Sequence, residues 1–113
     1  MPDCIFCKIA NGSIPSSKVY EDDNYFAFRD ISPAAPVHVL VIPKQHVANV
    51  LEGAAVPSLI EGLMEVAAKV ARQEGLEESG FRLVVNTGDD GGQSVHHLHL
   101  HILGGRKLAW PPG

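Results

Sequence analysis

The sequence predicts an α+β fold in which an antiparallel sheet of about five strands packs against one long helix. Three observations carry this. Short β-prone runs outnumber helical ones, their connections are of hairpin length on both sides of a single long segment with helical periodicity, and the histidine-rich segment alternates with leucine. Strands interrupted by one helix, rather than strands and helices taking turns, favour an antiparallel sheet over a doubly wound parallel one.

Taken in order, Lys18–Glu21 and Tyr25–Arg29 are β-prone runs joined by Asp22-Asp23-Asn24, a hairpin turn in composition. Ser32-Pro33-Ala34-Ala35-Pro36 is turn or extended material. Residues 37–42 read as a buried strand that Pro43 stops, because proline cannot donate to a ladder. Beyond Pro57, Leu59, Ile60, Leu63, Met64, Ala67, Val70 and Ala71 recur at three- and four-residue spacing, which predicts the long helix, and Gly75 closes it. Residues 81–86 form the next strand, residues 87–93 a Gly/Asp loop, and residues 95–103 the histidine strand.

Composition bounds the class. At 113 residues, 45% hydrophobic and 19% charged, the chain reads as one ordinary globular domain spanning residues 1–113, large enough for a core without disulfides. A net charge of −4 argues against a general affinity for nucleic acid, which needs a basic face, but leaves a small nucleotide open. There is no apolar stretch of about 20 residues for a bilayer, so no membrane partner is expected. The start Met1-Pro2-Asp3-Cys4 does not resemble a signal peptide, and a cytoplasmic location is expected.

The run His96-His97-Leu98-His99-Leu100-His101 holds most of the histidines. On an extended strand His97, His99 and His101 line one face while Leu98, Leu100 and Ile102 line the other. Burying the leucines requires only something polar opposite, so three imidazoles in register point to metal ligation or to acid, base and nucleophilic chemistry. By the same parity His96 falls on the apolar face and reads as a packing residue. Cys4-x-x-Cys7 has a spacing used by zinc sites and by redox motifs alike.

The segment from Gly91 to Arg106, with its His-x-His-x-His core, resembles the histidine-triad (HIT) signature. Cys4-Ile5-Phe6-Cys7-Lys8-Ile9, Ile14-Pro15, Phe28-Arg29-Asp30-Ile31-Ser32-Pro33, His38-Val39-Leu40-Val41-Ile42-Pro43-Lys44 and the ending Trp110-Pro111-Pro112-Gly113 agree with that family in order and spacing. The ending is similar to the histidine triad nucleotide-binding branch, the purine nucleoside phosphoramidases; the cysteine pair is similar to bacterial-type members.

The resemblance implies a HIT-like fold with one long and one short helix, whose sheets join across a homodimer in which Trp110 reaches the partner's site. It also implies hydrolysis of nucleoside 5'-phosphoramidates, purine and adenosine above all, through a nucleotidyl-histidine intermediate. His99 is then the nucleophile, oriented by a backbone carbonyl near His97. His101 and His38 flank the phosphate or the nucleophile, and Ser94 bonds the phosphate or the leaving nitrogen. Gly92 and Gln93 offer backbone N–H groups to oxygen. Asp30 accepts from the ribose hydroxyls, Ile5, Phe6, Ile9, Phe28 and Ile31 sandwich the purine, and Asn86 bonds sugar or phosphate. Read alone, Asp30 could equally be a turn residue, and the apolar set could be core. In the bacterial-type members the cysteines join two histidines around a structural zinc, which here selects Cys4, Cys7, His46 and His97. Two other readings stay open: a dinucleoside polyphosphate hydrolase, and a nucleotide-binding scaffold without turnover.

Overall fold

The computed structural model describes residues 3–113; Met1 and Pro2, on which part of the N-terminal reading falls, lie outside the described residues. Five strands form one antiparallel sheet in the order β1-β2-β3-β5-β4. They are β1 (Lys18–Glu21), β2 (Tyr25–Arg29), β3 (Val37–Pro43), β4 (Phe81–Val84) and β5 (Leu100–Gly104). Three helices accompany them: α1 (Ile5–Ala10), α2 (Val50–Ala54) and α3 (Leu59–Gln73). The expected α+β class and five-strand sheet therefore hold, with one short helix more than expected.

The sheet is covered on both faces, and strand alternation decides which residue goes where. On one face Ala27, Val39, Val41, Leu100 and Ile102 pack with Leu63, Val66, Ala67 and Val70 of α3. On the other, Phe26, Phe28, Leu40 and Ile42 meet Phe6 and Ile9 of α1. Burial on both sides explains why β3 is an almost unbroken apolar run. His38 interrupts it on the α1 face, two residues from Leu40, and His101 of β5 pairs with Leu40. The two imidazoles are thus diagonal neighbours on adjacent strands, within reach for long side chains.

Each helix has a local cause. Cys4 caps α1, its Sγ accepting from the Cys7 N–H at 3.3 Å. Asn49 caps α2 by accepting from the Leu51 and Glu52 N–H groups, while Glu52 Oε1 accepts from the Ala48 N–H at 2.9 Å. That Asn-x-x-Glu spacing is the sequence signal for this helix, which is too short to show periodicity. Helix α3 ends in a Schellman arrangement: Gly75 takes φ +74°, and the Gly75 and Leu76 N–H groups donate to the Arg72 and Ala71 carbonyls. Gly62 lets α3 approach the sheet, since a Cβ there would collide with the Tyr25 hydroxyl.

Two strands are shorter than the sequence suggests. β4 stops at Val84 rather than residue 86. β5 begins at Leu100, so residues 95–99 lie outside the ladder. Extending the β3–β5 register two residues past Val41 and Leu100 would bring Leu98 opposite Pro43, which has no N–H to give. The Pro43 carbonyl instead accepts from His97 Nε2 at 2.8 Å, and the Leu98 N–H donates to Val47. Alternation survives without the ladder, for Leu98, Leu100 and Ile102 all enter the α3-side core. His96 departs from parity: it is exposed, not packed on the apolar face, because the chain bends at residues 95–97.

Candidate functional site

A cavity of about 360 Å³ opens on the α1 face of the sheet, within the range of about 300–1,000 Å³ usual for small-ligand sites. Helix α1 supplies Ile5, Phe6 and Ile9, and the end of β2 supplies Phe28 and Asp30. Ile31 stands beside them at 99% exposure, an apolar side chain with nothing over it. Ser94, His99 and His101 form the opposite wall. Pro15, Ser16, Ser17, Arg29, Leu40 and Val95 also line the cavity. The two serines carried no signal in the sequence beyond turn composition, and Arg29 forms a bidentate pair with Glu74 of α3, at 2.6 and 3.1 Å.

Three sequence-proposed residues stand apart. Asn86 does not line the cavity. The Gly92 N–H donates to the Asp89 carbonyl and the Gln93 N–H to the Gly88 carbonyl, so neither is available to a ligand oxygen, contrary to the expectation. Gln93 is buried and structural: its amide donates to the Ala48 and Val95 carbonyls and accepts from the Gly88 N–H. A Gly-Asp loop that closes on itself in this way satisfies its own donors, which is why it needs the glutamine.

The histidines form a network whose proton positions follow from fixed partners. A carbonyl can only accept, so His99, at 2.7 Å from the His97 oxygen, carries its proton on Nδ1 and keeps a bare lone pair on Nε2. A backbone N–H can only donate, so His38 Nδ1, at 3.0 Å from the Ala34 nitrogen, is an acceptor. Neutral His38 then carries its proton on Nε2 and donates it to His101 Nδ1 at 2.9 Å, with Asp30 Oδ2 3.5 Å away. Neutral His101 in turn carries its proton on Nε2, a buried atom without a partner among the described residues. A buried donor left unpaired beside a cavity is costly unless something else completes it.

Burial disfavours the charged form of two of these rings, His99 and His101. Burial lowers the pKa of His99 from its ordinary value, against the opposing pull of the His97 carbonyl and Asp30. For His101 burial comes first, with His99 and His38 adding to it, and the value falls to about 4. The edge of one ring also meets the other near His99, where Phe6 lies 5.0 Å away, centroid to centroid, at 85°. Asp30 has two duties within the protein: Oδ1 accepts from the Ser32 N–H at 2.8 Å, the turn role, while the carboxylate also lines the cavity.

Behind the cavity, Cys4, Cys7, His46 and His97 bring one donor atom each to a common point. His97 Nε2 donates to the Pro43 carbonyl, so its Nδ1 is a lone pair facing inward. That atom lies 3.2 Å from Cys4 Sγ, 3.5 Å from Cys7 Sγ and 3.2 Å from His46 Nδ1, and Cys7 Sγ lies 3.5 Å from His46 Nδ1. Zinc bonds of the usual length place tetrahedral N–N and N–S edges at about 3.3 and about 3.6 Å. The donor set and its spacing therefore fit a closed, four-ligand zinc site. Burial raises the Cys7 thiol pKa, and Cys4 beside it raises it further. The lone pairs crowded here call for a cation.

An antiparallel α+β sheet carrying histidines on one face, with a small-ligand cavity lined by His99 and His101 and a thiol–imidazole cluster at His97, defines a triad-type protein with a metal-ready centre. The chain belongs to the HIT domain family, whose model matches residues 11–108. It is 50% identical over 116 residues to the 14 kDa zinc-binding protein of Brassica juncea, covering 98% of this chain and all of the relative. Among solved structures it resembles a HIT family hydrolase from Legionella pneumophila, with a TM-score of 0.94 and 51% identity over 98% of this chain and 100% of that one. It also resembles a histidine triad nucleotide-binding protein from Candida albicans, with a TM-score of 0.84 and 33% identity over 96% of this chain and 83% of that one.

Proposed function

We propose that this protein hydrolyses nucleoside 5'-phosphoramidates, with a purine preference, to a nucleoside monophosphate and an amine. The observation that carries this is the juxtaposition in one cavity wall of a bare His99 Nε2 and an unpartnered His101 Nε2–H. One is a nucleophile and the other a donor for oxygen. His99 Nε2 forms a bond to the α-phosphorus as the P–N bond breaks, the electron pair leaving with the nitrogen, which takes a proton from solvent. The positive charge that develops on the His99 ring is held by the Nδ1–H bond to the His97 carbonyl. His101, neutral at physiological pH, stabilises the charge on a non-bridging oxygen through Nε2–H, and Ser94 contacts the phosphate or the leaving nitrogen. Water then displaces His99, returning a proton to solvent. Asp30 accepts from the ribose hydroxyls with its remaining lone pairs, and the apolar wall from Ile5 to Ile31 holds the base.

In the same reading Cys4, Cys7, His46 and His97 hold a structural zinc, with no open position for water, and the protein works as a homodimer. The Brassica relative's name agrees with the metal. His99→Ala tests the activity: turnover of an adenosine phosphoramidate falls at least about 1,000-fold, and the wild type yields a trapped nucleotide adduct on His99 by mass spectrometry. Wild-type turnover in His99→Ala would falsify it. Higher kcat/KM on a dinucleoside polyphosphate would reassign the leaving group while keeping the nucleophile.

A further inference from the structure

The Gly104-Gly105-Arg106 segment at the end of β5 has no part in the chemistry above, and its geometry is specific. A Cβ on Gly104 would lie 2.7 Å from the Leu76 side chain. Gly105 adopts φ +88°, and a Cβ there would lie 2.8 Å from Pro36. Gly104 thus makes room for Leu76, and Gly105 brings the strand end against Pro36 of the 33–36 turn. Arg106 follows. It is exposed and has no carboxylate partner among the described residues, yet its guanidinium is fixed: Nη2 donates to the Ala34 carbonyl at 2.9 Å and Nη1 to the Lys107 carbonyl at 3.1 Å.

Ala34 is the residue whose N–H donates to His38 Nδ1. We propose that Arg106 is a positioning residue for the histidine relay, clamping Ala34 so that its N–H selects the His38 tautomer that turns His101 Nε2 into a donor. The logic is a parity of hydrogen bonds. With the Ala34 N–H in place, His38 must carry its proton on Nε2, His101 must accept it on Nδ1, and the His101 proton must point into the cavity. With the Ala34 N–H displaced, His38 can carry its proton on Nδ1. Its Nε2 then accepts from His101 Nδ1–H, and His101 presents a lone pair to an oxygen that is itself negative. The Ala34 contact, with Asp30 Oδ2 3.5 Å from His38 Nε2 on the other side of the ring, thus sets whether the cavity offers a donor or a repulsive acceptor. The inference rests on the proposed role of His101 toward a phosphoryl oxygen.

The test joins kinetics to spectroscopy on the full chain. In Arg106→Ala, kcat on an adenosine phosphoramidate falls about tenfold, the fraction of an acid–base-type contribution that loose positioning forfeits, while KM moves less than about twofold. Arg106→Lys, which retains a cationic donor for the Ala34 oxygen, recovers most of that loss. Nitrogen-15 spectra of labelled histidine place the His38 proton on Nε2 in the wild type and on both nitrogens in Arg106→Ala, and the Ala34 amide exchanges faster. An unchanged His38 tautomer and Ala34 amide in Arg106→Ala overturn the proposal whatever the rate, and so does a changed tautomer with wild-type kcat. If the wild type fails to turn over the phosphoramidate, the proposed function falls, while the His38 and Ala34 signals still decide the clamp. Arg106→Gln, which is uncharged and two bonds shorter than the Nη atoms that hold Ala34, serves the same readouts should the alanine variant not fold.

Discussion

His101 illustrates how one residue links folding to chemistry. Its pKa in the fold is about 4, against an ordinary 6.5, because burial and two neighbouring imidazoles disfavour the charged ring. Between those values the unfolded chain binds more protons than the folded one, so protonation favours unfolding. Stability is fully present above pH 6.5 and is lost as pH falls through about 4. The expected loss is on the order of 2 kcal/mol, read as a drop in urea midpoint between pH 7 and pH 4. His101→Asn, which cannot titrate, should show a flatter curve over that window; an identical slope in the variant would assign the loss to other groups. At this scale the sequence was informative where side-chain chemistry is distinctive. His97, His99, His101 and the cysteine pair could be named because clustered imidazoles and thiols have few structural reasons to be there, whereas Ser94 came only with the family resemblance. Gly92 and Gln93 could not be separated from a phosphate-binding loop, since which N–H groups a loop uses internally depends on its closed conformation.

At the scale of elements, the metal-ready cluster is a junction. Cys4 and Cys7 bracket the first turn of α1, which carries Ile5, Phe6 and Ile9 to the cavity, while His97 offers its ring to the cluster and its carbonyl to His99. A zinc there would fix one wall of the cavity and the carbonyl that orients His99, the proposed nucleophile. Protein purified without added metal should contain one zinc per chain by elemental analysis, and the Cys4→Ser/Cys7→Ser variant none. The variant should lose about 2–4 kcal/mol, lowering Tm by about 10 °C, with amide exchange rising first in α1. Absence of metal from the wild type would remove zinc from the account. The elements themselves were legible to differing degrees. β1, β2 and α3 match their sequence signals because hairpin turns and helical periodicity are local. The late start of β5 was not readable, because it depends on Pro43, more than fifty residues earlier, failing to donate to that partner strand. α1 and α2 are one or two turns long, too short for periodicity, and only their caps announce them.

The whole molecule has two sheet edges, and they differ in a way that argues for the dimer. β1 is guarded: its register shifts between Lys18 and Tyr20, and Lys18, Glu21 and Lys44 form a run of ion pairs along it. Bulges and charges are the usual means of keeping an edge from pairing. β4, Phe81–Val84, keeps an unbroken register and carries a single charge, Arg82, and Phe81 at its start is 42% exposed. Arg82 on this edge also donates to the Ala109 carbonyl at 2.9 Å, which draws the C-terminal segment alongside, with Trp110 81% exposed. A sparsely guarded edge with an exposed tryptophan beside it suits a second copy of the chain, joined strand to strand about a two-fold axis; in the proposed dimer each Trp110 would lie at the leaving-group side of the partner's cavity. Sedimentation should therefore give a dimer. Removing residues 109–113 should change the ranking of amine leaving groups by about tenfold while the order of nucleoside preference is kept, because the base wall belongs to α1 and β2 of the same chain. A monomer in solution, or a truncated protein with the wild-type leaving-group ranking, would confine Trp110 to its own subunit and leave β4 an open edge in need of another cover.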